Sequence, residues 1–422
     1  MNITSDQKCQ LLLEISQKTR DTLDLNEIMV HLLDTIQNVV HYDAAGIFVL
    51  NRDLVQLENR PPTNVIAEVV WRGYNPAPSG QDEMFTLGKG IIGHVIFSNS
   101  SLIVPDVRLD ERYIEGREET LSEIAVPILL EDQAIGALNL ESNQLNAYDK
   151  SDLKVLLFFA EAAAIALEKA MLHRQLLAKE LVDKQLQMAK AVQTHLLPQE
   201  EPRIPGYDIA GVCIPAEEIG GDYYDYLPLI DGKLGIVVAD VSGHGIPSAL
   251  VMTAFRSLLR THAGIKGSPA EIASILNDLL PDFTGDSHFI TMVYGVINPN
   301  NGGGTFVRCG HPSPMLLQKD GKLETLDANG PAFGIFSNVG YTNENMTLSS
   351  GDILVMYTDG VVDLENPAGV AFGCNRLKAL IARNKTISAR GLIRRVIQET
   401  RNFSDNQIPL DDFTLVIVKK EE

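Results

Sequence analysis

The chain reads as an α+β protein of two domains joined by one long helix, on three observations. Its 422 residues exceed what a single hydrophobic core usually organises. Strand-like and helix-like runs are grouped rather than alternating one for one, which points to antiparallel sheets with helices on their faces. Between Leu167 and Leu197 neither Gly nor Pro occurs, and Glu, Lys, Ala, Leu, Gln and Met dominate, the composition of a continuous helix. The implied boundaries are a first domain over residues 1–168, a helical linker over 169–200 and a second domain over 201–422.

Residues Ile3 to Val40 carry apolar side chains at helical spacing, among them Leu12, Ile15, Leu25, Ile28, Leu32 and Ile36. Asp24 stands as an N-cap before Leu25-Asn26-Glu27. Strand-like runs follow at Ala45–Leu50, Ala67–Trp71, Ser101–Pro105, Glu123–Leu130 and Ala134–Glu141, parted by turn residues such as Asn51-Arg52-Asp53 and Glu131-Asp132. Asp149 caps the long helix that starts near Ser151 and runs to Leu197-Pro198. Its i,i+4 pairs, Leu167/Met171, Leu177/Leu181 and Met188/Val192, leave two readings. One is a helix packed on its own domain; the other, favoured by the polar remainder of its surface, is a two-stranded coiled coil between protomers.

Pro198, Pro202, Pro205 and Gly206 open the second domain. Its strand candidates are Tyr207–Cys213, Gly235–Asp240, Phe289–Ile297, Gly304–Cys309, Met315–Leu317, Ile353–Tyr357 and Phe413–Val418. Helical patterns cover Ser248–His262, Pro269–Leu280, Cys374–Arg383 and Ala389–Asn402.

Composition narrows the function. Hydrophobic residues make up 45% of the chain, which excludes wholesale disorder. Thirty-five basic against 55 acidic residues leave a formal net charge of -20. That charge repels phosphate backbones and anionic lipid, so neither nucleic acid nor membrane is expected as a partner. The four cysteines, Cys9, Cys213, Cys309 and Cys374, are scattered without a C-x-x-C pair and read as reduced thiols. No signal-peptide pattern opens the chain and no uncharged run reaches spanning length, so a cytoplasmic location is expected.

Gly88-Lys89-Gly90-Ile91-Ile92-Gly93 fits G-x-G-x-x-G, with Asp110 about twenty residues on. The dinucleotide reading fails on context. Met84-Phe85-Thr86-Leu87 is a poor buried strand, and little room for a helix remains before Leu102-Ile103-Val104.

The second domain carries a more specific pattern. Acidic residues recur where apolar strands begin or end: Asp222 after Glu218-Ile219-Gly220-Gly221, Asp240 at the end of GIVVAD, Asp359 at the end of ILVMYTD, and Asp411-Asp412 before FTLVIV. Singly, each is ordinary turn or edge chemistry. Together, at one rim of a sheet sandwich, they would repel one another unless cations lay between them. Hard carboxylates without paired His or Cys suit two Mg²⁺ or Mn²⁺ ions. Such a pair, about 3.5–4 Å apart, acidifies a water and clamps a phosphoryl group for in-line attack.

The ordered series LLPQEEPRIPGYDI, PAEEIGGDYYDY, VADVSGHGIPSALVM, CGHPSPMLL, MYTDGVVD and LDDFTLVIV resembles bacterial PPM-type (PP2C-like) serine/threonine phosphatases of the SpoIIE/RsbU group over about Leu196 to Lys419. The resemblance implies a β-sandwich flanked by helices with a two-metal site at one end. It implies Asp222, Asp240, Asp359 and Asp411 as catalytic metal ligands, with the carbonyl of Val241 added. Asp411 holds the first place of D-[ND]-x-T, with Asp412 retained as a neighbouring candidate. Asp363 stands where this group usually has Glu. His244 is open between proton donor and loop-orienting residue, and His311 between proton donor and part of a rigid turn.

The stretch FTLGKGIIGHVIFSNSSLIVPDVRLDERY, followed by EIAVPILLEDQAIGALNLES and a closing helix, is similar to GAF domains from about Leu25 to Leu167. It implies an antiparallel sheet with flanking helices and a pocket of unidentified ligand, or a domain that only dimerises. Together the resemblances imply a GAF-regulated phosphatase, homodimeric through linker and GAF domain. Its implied substrate is a phosphorylated STAS-type anti-sigma-factor antagonist. The rival is a non-catalytic sensor or scaffold that works by partner binding.

Overall fold

A computed structural model of the chain describes residues 22–50, 66–74, 86–264, 267–284, 288–406 and 411–421. Leu12, Ile15, Cys9, the Asn51-Arg52-Asp53 turn and Met84-Phe85 of the sequence reading lie outside them. The chain divides into two compact units, residues 1–181 and 182–422.

In the first unit, helix α1 (Leu25–Gln37) starts at Asp24, whose side chain accepts from the Glu27 amide, as the sequence predicts. An antiparallel sheet follows, built of β1 (Ala44–Leu50), β2 (Ile66–Arg72), β3 (Leu102–Val104), β4 (Ser122–Leu130) and β5 (Gln133–Ser142) in the order β2-β1-β5-β4-β3. All seven residues of β1 are buried because both faces of the sheet are covered. Ile47 and Val49 pack with α1 and the first turns of α3 (Lys150–Leu196), while Phe48 and Leu50 pack with α2 (Gly90–Ser98). Asp149 caps α3 by accepting from the Ser151 and Asp152 amides.

Helix α2 corrects one expectation. The G-x-G-x-x-G stretch does open a helix, because the turn at Gly88–Lys89 lets it begin on Gly90 inside the motif. The sheet it covers is antiparallel throughout, so no βαβ crossover exists to make a dinucleotide site.

The second unit holds two five-stranded antiparallel sheets. One has the order β13-β10-β9-β8-β7 and the other β12-β11-β14-β15-β6. Their strands are β6 (Tyr207–Ile214), β7 (Tyr223–Pro228), β8 (Leu234–Val241), β9 (Ile290–Ile297), β10 (Gly303–Cys309), β11 (Met315–Leu317), β12 (Leu323–Thr325), β13 (Glu344–Thr347), β14 (Ile353–Tyr357) and β15 (Phe413–Lys420). Alternation sorts each strand's side chains. Ile236, Val238, Val293, Met356 and Val416 share the core between the sheets. Val237, Ala239 and Tyr294 face α4 (Ile246–Ala263) and α5 (Pro269–Leu279). Ile353, Val355 and Leu415 face α6 (Gly373–Arg383) and α7 (Ala389–Phe403).

This is a four-layered sandwich, helices outside and sheets within. Its strands read as unbroken apolar runs because both faces of each sheet are buried. Strand β7 escaped the sequence reading because Asp225 interrupts Tyr-Tyr-Asp-Tyr. In the fold Asp225 is buried, accepts from Tyr223 Oη at 2.5 Å and pairs with Arg260 Nε at 2.9 Å.

Candidate active site

The site follows from the register of two ladders. Tyr223 pairs with Ala239 between β7 and β8, so Asp222 and Asp240 stand opposite each other one step further on. Tyr224 and Val238 point into the inter-sheet core; Asp222 and Asp240 share that parity and end up at its rim. In the second sheet Tyr357 pairs with Leu415, which brings Thr358 and Asp412 to the same rim from β14 and β15. Thr358 Oγ1 donates to Asp222 Oδ2 at 2.8 Å and accepts from the Thr414 amide at 3.0 Å. One hydroxyl thus ties the two sheets together beside an acid that is 3% exposed.

The acids perturb one another. Burial, then repulsion from Asp359, Asp411 and Asp412, pushes the Asp240 carboxyl up to about 7. Burial, then Asp240 and Asp412, drives Asp222 well above the carboxylate range. Asp359 is raised by burial and by Asp363, and Asp411 by burial foremost, with Asp359 and Asp412 adding to it. Four carboxyls so placed are held at a cost that cations between them would offset.

Asp412 is different. Its Oδ1 accepts from the Ala216 amide at 2.8 Å, and its Oδ2 from the Gly221 and Asp222 amides at 2.7 and 3.1 Å. Three backbone donors occupy the carboxylate that the sequence had offered as a metal ligand. Gly220 is required by this anchorage, since a Cβ there would lie 2.2 Å from Asp412 Oδ2. Asp411 accepts from its neighbour's amide at 2.8 Å, and its residue reaches solvent while its carboxyl group is half enclosed.

The Ser242–Gly245 turn closes the rim. The Ser242 amide donates to the Phe289 carbonyl and its Oγ accepts from the Phe289 amide. Gly245 takes φ +77° at the N-cap of α4, a conformation costly for a side chain. His244 is mostly exposed, with Nδ1 3.2 Å from Glu217 Oε1. His311 is 1% exposed, bonded through Nδ1 to Thr291 Oγ1 at 2.7 Å, and pushed down to about 3 by burial. It is neutral and enclosed, in keeping with the rigid-turn alternative. Asp363 is exposed and its amide donates to the Asp359 carbonyl.

A divalent pair fits this donor set by chemistry. All side-chain candidates are hard oxygens, and the Val241 carbonyl approaches Gly221, within 2.7 Å of where a Cβ would stand. Among the described residues no three acidic, His or Cys side chains converge closely enough to hold an ion alone. Each ion would therefore be completed by water and carbonyl oxygen, as Mg²⁺ and Mn²⁺ coordination allows.

Sequence reasoning did not single out Thr358, although it precedes the D-G pair. It also missed the anchoring task of Asp412, for which the doubled Asp-Asp was the only signal.

The sandwich and its acidic rim define the class, a PP2C-like fold. The PP2C domain of SiaA from Pseudomonas aeruginosa superposes with a TM-score of 0.51 at 19% identity, over 57% of this chain and 97% of that one. Residues 230–421 match the family described as stage II sporulation protein E (SpoIIE), and residues 22–168 match the GAF domain family. The chain thus pairs a region that matches the GAF family with a region that matches the SpoIIE family of PPM-type domains. Protein IcfG of Synechocystis is 31% identical over 277 residues, 58% of this chain and 43% of IcfG. Phosphoserine phosphatase RsbU of Bacillus subtilis is 28% identical over 241 residues, 57% of this chain and 71% of RsbU. The match therefore spans less than half the length of IcfG.

Proposed function

We propose that the chain is a divalent-metal-dependent phosphatase that hydrolyses phosphoserine or phosphothreonine on a bacterial regulatory protein, an anti-sigma-factor antagonist of the STAS type, under control of its GAF domain. The observation that carries this reading is the facing pair Asp222 and Asp240, joined at one rim by acids from the second sheet. When bound, Mg²⁺ or Mn²⁺ supplies an acidified water and neutralises phosphoryl oxygens. Asp222, Asp240, Asp359, Asp411 and the Val241 carbonyl form the ion-holding set. Thr358 orients Asp222 through its hydroxyl, and Asp412 holds the 216–222 loop in place through three amides.

The regulatory part of the reading rests on α3, which begins in the first unit and ends in the second. Its last turns touch the catalytic loop. Gln193 Nε2 donates to the Gly220 carbonyl at 2.6 Å and Gln193 Oε1 accepts from the Gly220 amide at 3.1 Å, two residues before Asp222. Arg256 Nε donates to the Leu196 carbonyl at 2.7 Å. A shift of this helix end would be felt directly at Asp222. Among the described residues no helix is long and apolar enough to cross a membrane, and a cytoplasmic setting is part of the proposal.

The test is hydrolysis of p-nitrophenyl phosphate by the full chain with Mn²⁺, compared with Asp240→Asn. Activity that needs Mn²⁺ and falls ~10³-fold or more in the variant supports the reading, a loss typical for a principal charge-stabilising group. A folded, metal-loaded chain that turns over neither this substrate nor a phosphorylated STAS protein would favour the scaffold reading instead.

A further inference from the structure

Beside the acidic rim, the second unit carries an open groove of about 410 Å³, within the size range of built binding sites. Ile214 and Pro215 at the end of β6, Leu364, Ile397 on α7 and Phe413 on β15 supply its apolar walls. The groove is continuous with the rim along the chain. Phe413 follows Asp412 and Leu364 follows Asp363. Ala216, another wall residue, donates its amide to Asp412 Oδ1 at 2.8 Å.

The polar side chains of the groove differ in whether their bonds are already made. Thr400 Oγ1 donates to the Val396 and Ile397 carbonyls at 3.0 and 3.1 Å, and Ser404 Oγ to the Arg401 carbonyl at 3.2 Å. Both hydroxyls are occupied within the chain. Arg401 is exposed and, among the described residues, is the one charged side chain on the wall. Among the described residues its guanidinium forms neither an ion pair nor a hydrogen bond, whereas on the same helix Arg390 pairs with Glu201 and Arg395 with Glu399. On a chain of net charge -20, an unpaired cation beside an apolar surface is a place where a negative group is favoured.

We propose that this groove reads the residues flanking the phosphoserine or phosphothreonine of the protein substrate, an inference that rests on the phosphatase reading above. An extended substrate segment lays an apolar side chain against Ile214, Leu364, Ile397 and Phe413, and an acidic side chain on the Arg401 guanidinium. Whatever holds the phosphoryl group at the rim cannot tell one phosphoprotein from another. Discrimination has to come from the surface next to the rim, and the groove offers an apolar and a charged contact there. A phosphorylated small molecule has no flanking side chains with which to fill it.

The test assays the full chain with Mn²⁺ on p-nitrophenyl phosphate and on phosphoserine peptides in which one flanking position at a time carries Leu, Gly, Glu or Lys. The expected result is a preference of ~10-fold or more in kcat/KM for Leu over Gly at one position and a preference for Glu over Lys at another. Arg401→Glu should invert the second preference toward Lys, a change of ~10-fold as an ion pair becomes a repulsion. Leu364→Ser should weaken the first. Arg394→Glu, at an exposed cation on the same helix outside the groove, should leave both preferences as they are. The proposal is overturned by peptides turned over without flanking preference, or by a Glu preference that survives Arg401→Glu. It is also overturned if Arg401→Glu changes the assembly mass in light scattering while the preferences stay, which would make the groove a contact between copies. p-Nitrophenyl phosphate has no flanking residues and reports the phosphatase reading by itself. No turnover of it by the unsubstituted chain sinks that reading and this inference together; turnover without flanking preference sinks this inference alone.

Discussion

Asp411 and Asp412 are adjacent in sequence and opposite in task. The Asp412 carboxylate is buried and filled by three amides, so Asp412→Asn should destabilise the fold by about 2–4 kcal/mol through orphaned buried donors. The exposed Asp411 should tolerate Asn with little loss of stability but with weaker Mn²⁺ affinity and lower kcat. Urea midpoints set against manganese titrations of the two variants check the contrast; equal destabilisation would contradict it. At Asp240 the sign of the pH effect follows from its raised carboxyl. A folded pKa above the unfolded one means that the native state binds the proton more tightly. Its stabilising contribution is complete below about pH 4 and is lost as pH rises through about 7. The metal-free chain should therefore gain Tm on acidification from pH 8 to 5, by several degrees, and Asp240→Asn should flatten that gain. Thermal scans in chelator read both.

At the scale of elements, the end of α3 and its middle make separate predictions. Gln193 grips Gly220 by a two-point amide pair. Gln193→Ala should lower kcat at saturating Mn²⁺ by ~10-fold or more while leaving Tm within a few degrees. A fall in Tm with unchanged kcat would make the contact merely structural. Along the middle of the helix, Leu177, Leu181, Met188 and Val192 are each more than half exposed and fall on one side at helical spacing, an apolar stripe that a second copy would cover. Leu177→Glu with Leu181→Glu should convert a dimer to a monomer by light scattering. An unchanged mass would remove the coiled coil from the reading.

For the whole molecule, legibility followed physics. Helix and strand periodicity gave nearly every long element, because α4, α5, α6, α7 and the central strands each bury a regular stripe. Strand β7 was hidden by Asp225, whose satisfaction by Tyr223 and Arg260 is a tertiary fact. Helix α2 was hidden because the stretch from Gly93 to Leu102 leaves little room for a helix, whereas the helix begins earlier, on Gly90 inside the motif. The acidic rim was visible as strand-end aspartates, since a strand that ends on an acid announces itself locally. What each acid does was not visible, because burial and partners are set by which strands lie side by side. The amino-acid sequence by itself determined the two domains, the long helix and the set of acids available for chemistry. Only the tertiary structure decided that Asp222 faces Asp240 and that Asp412 is spent on the backbone. Register and packing are properties of paired segments, and the partners lie 18 residues apart in sequence in the facing pair and up to 196 apart where Asp412 holds Ala216.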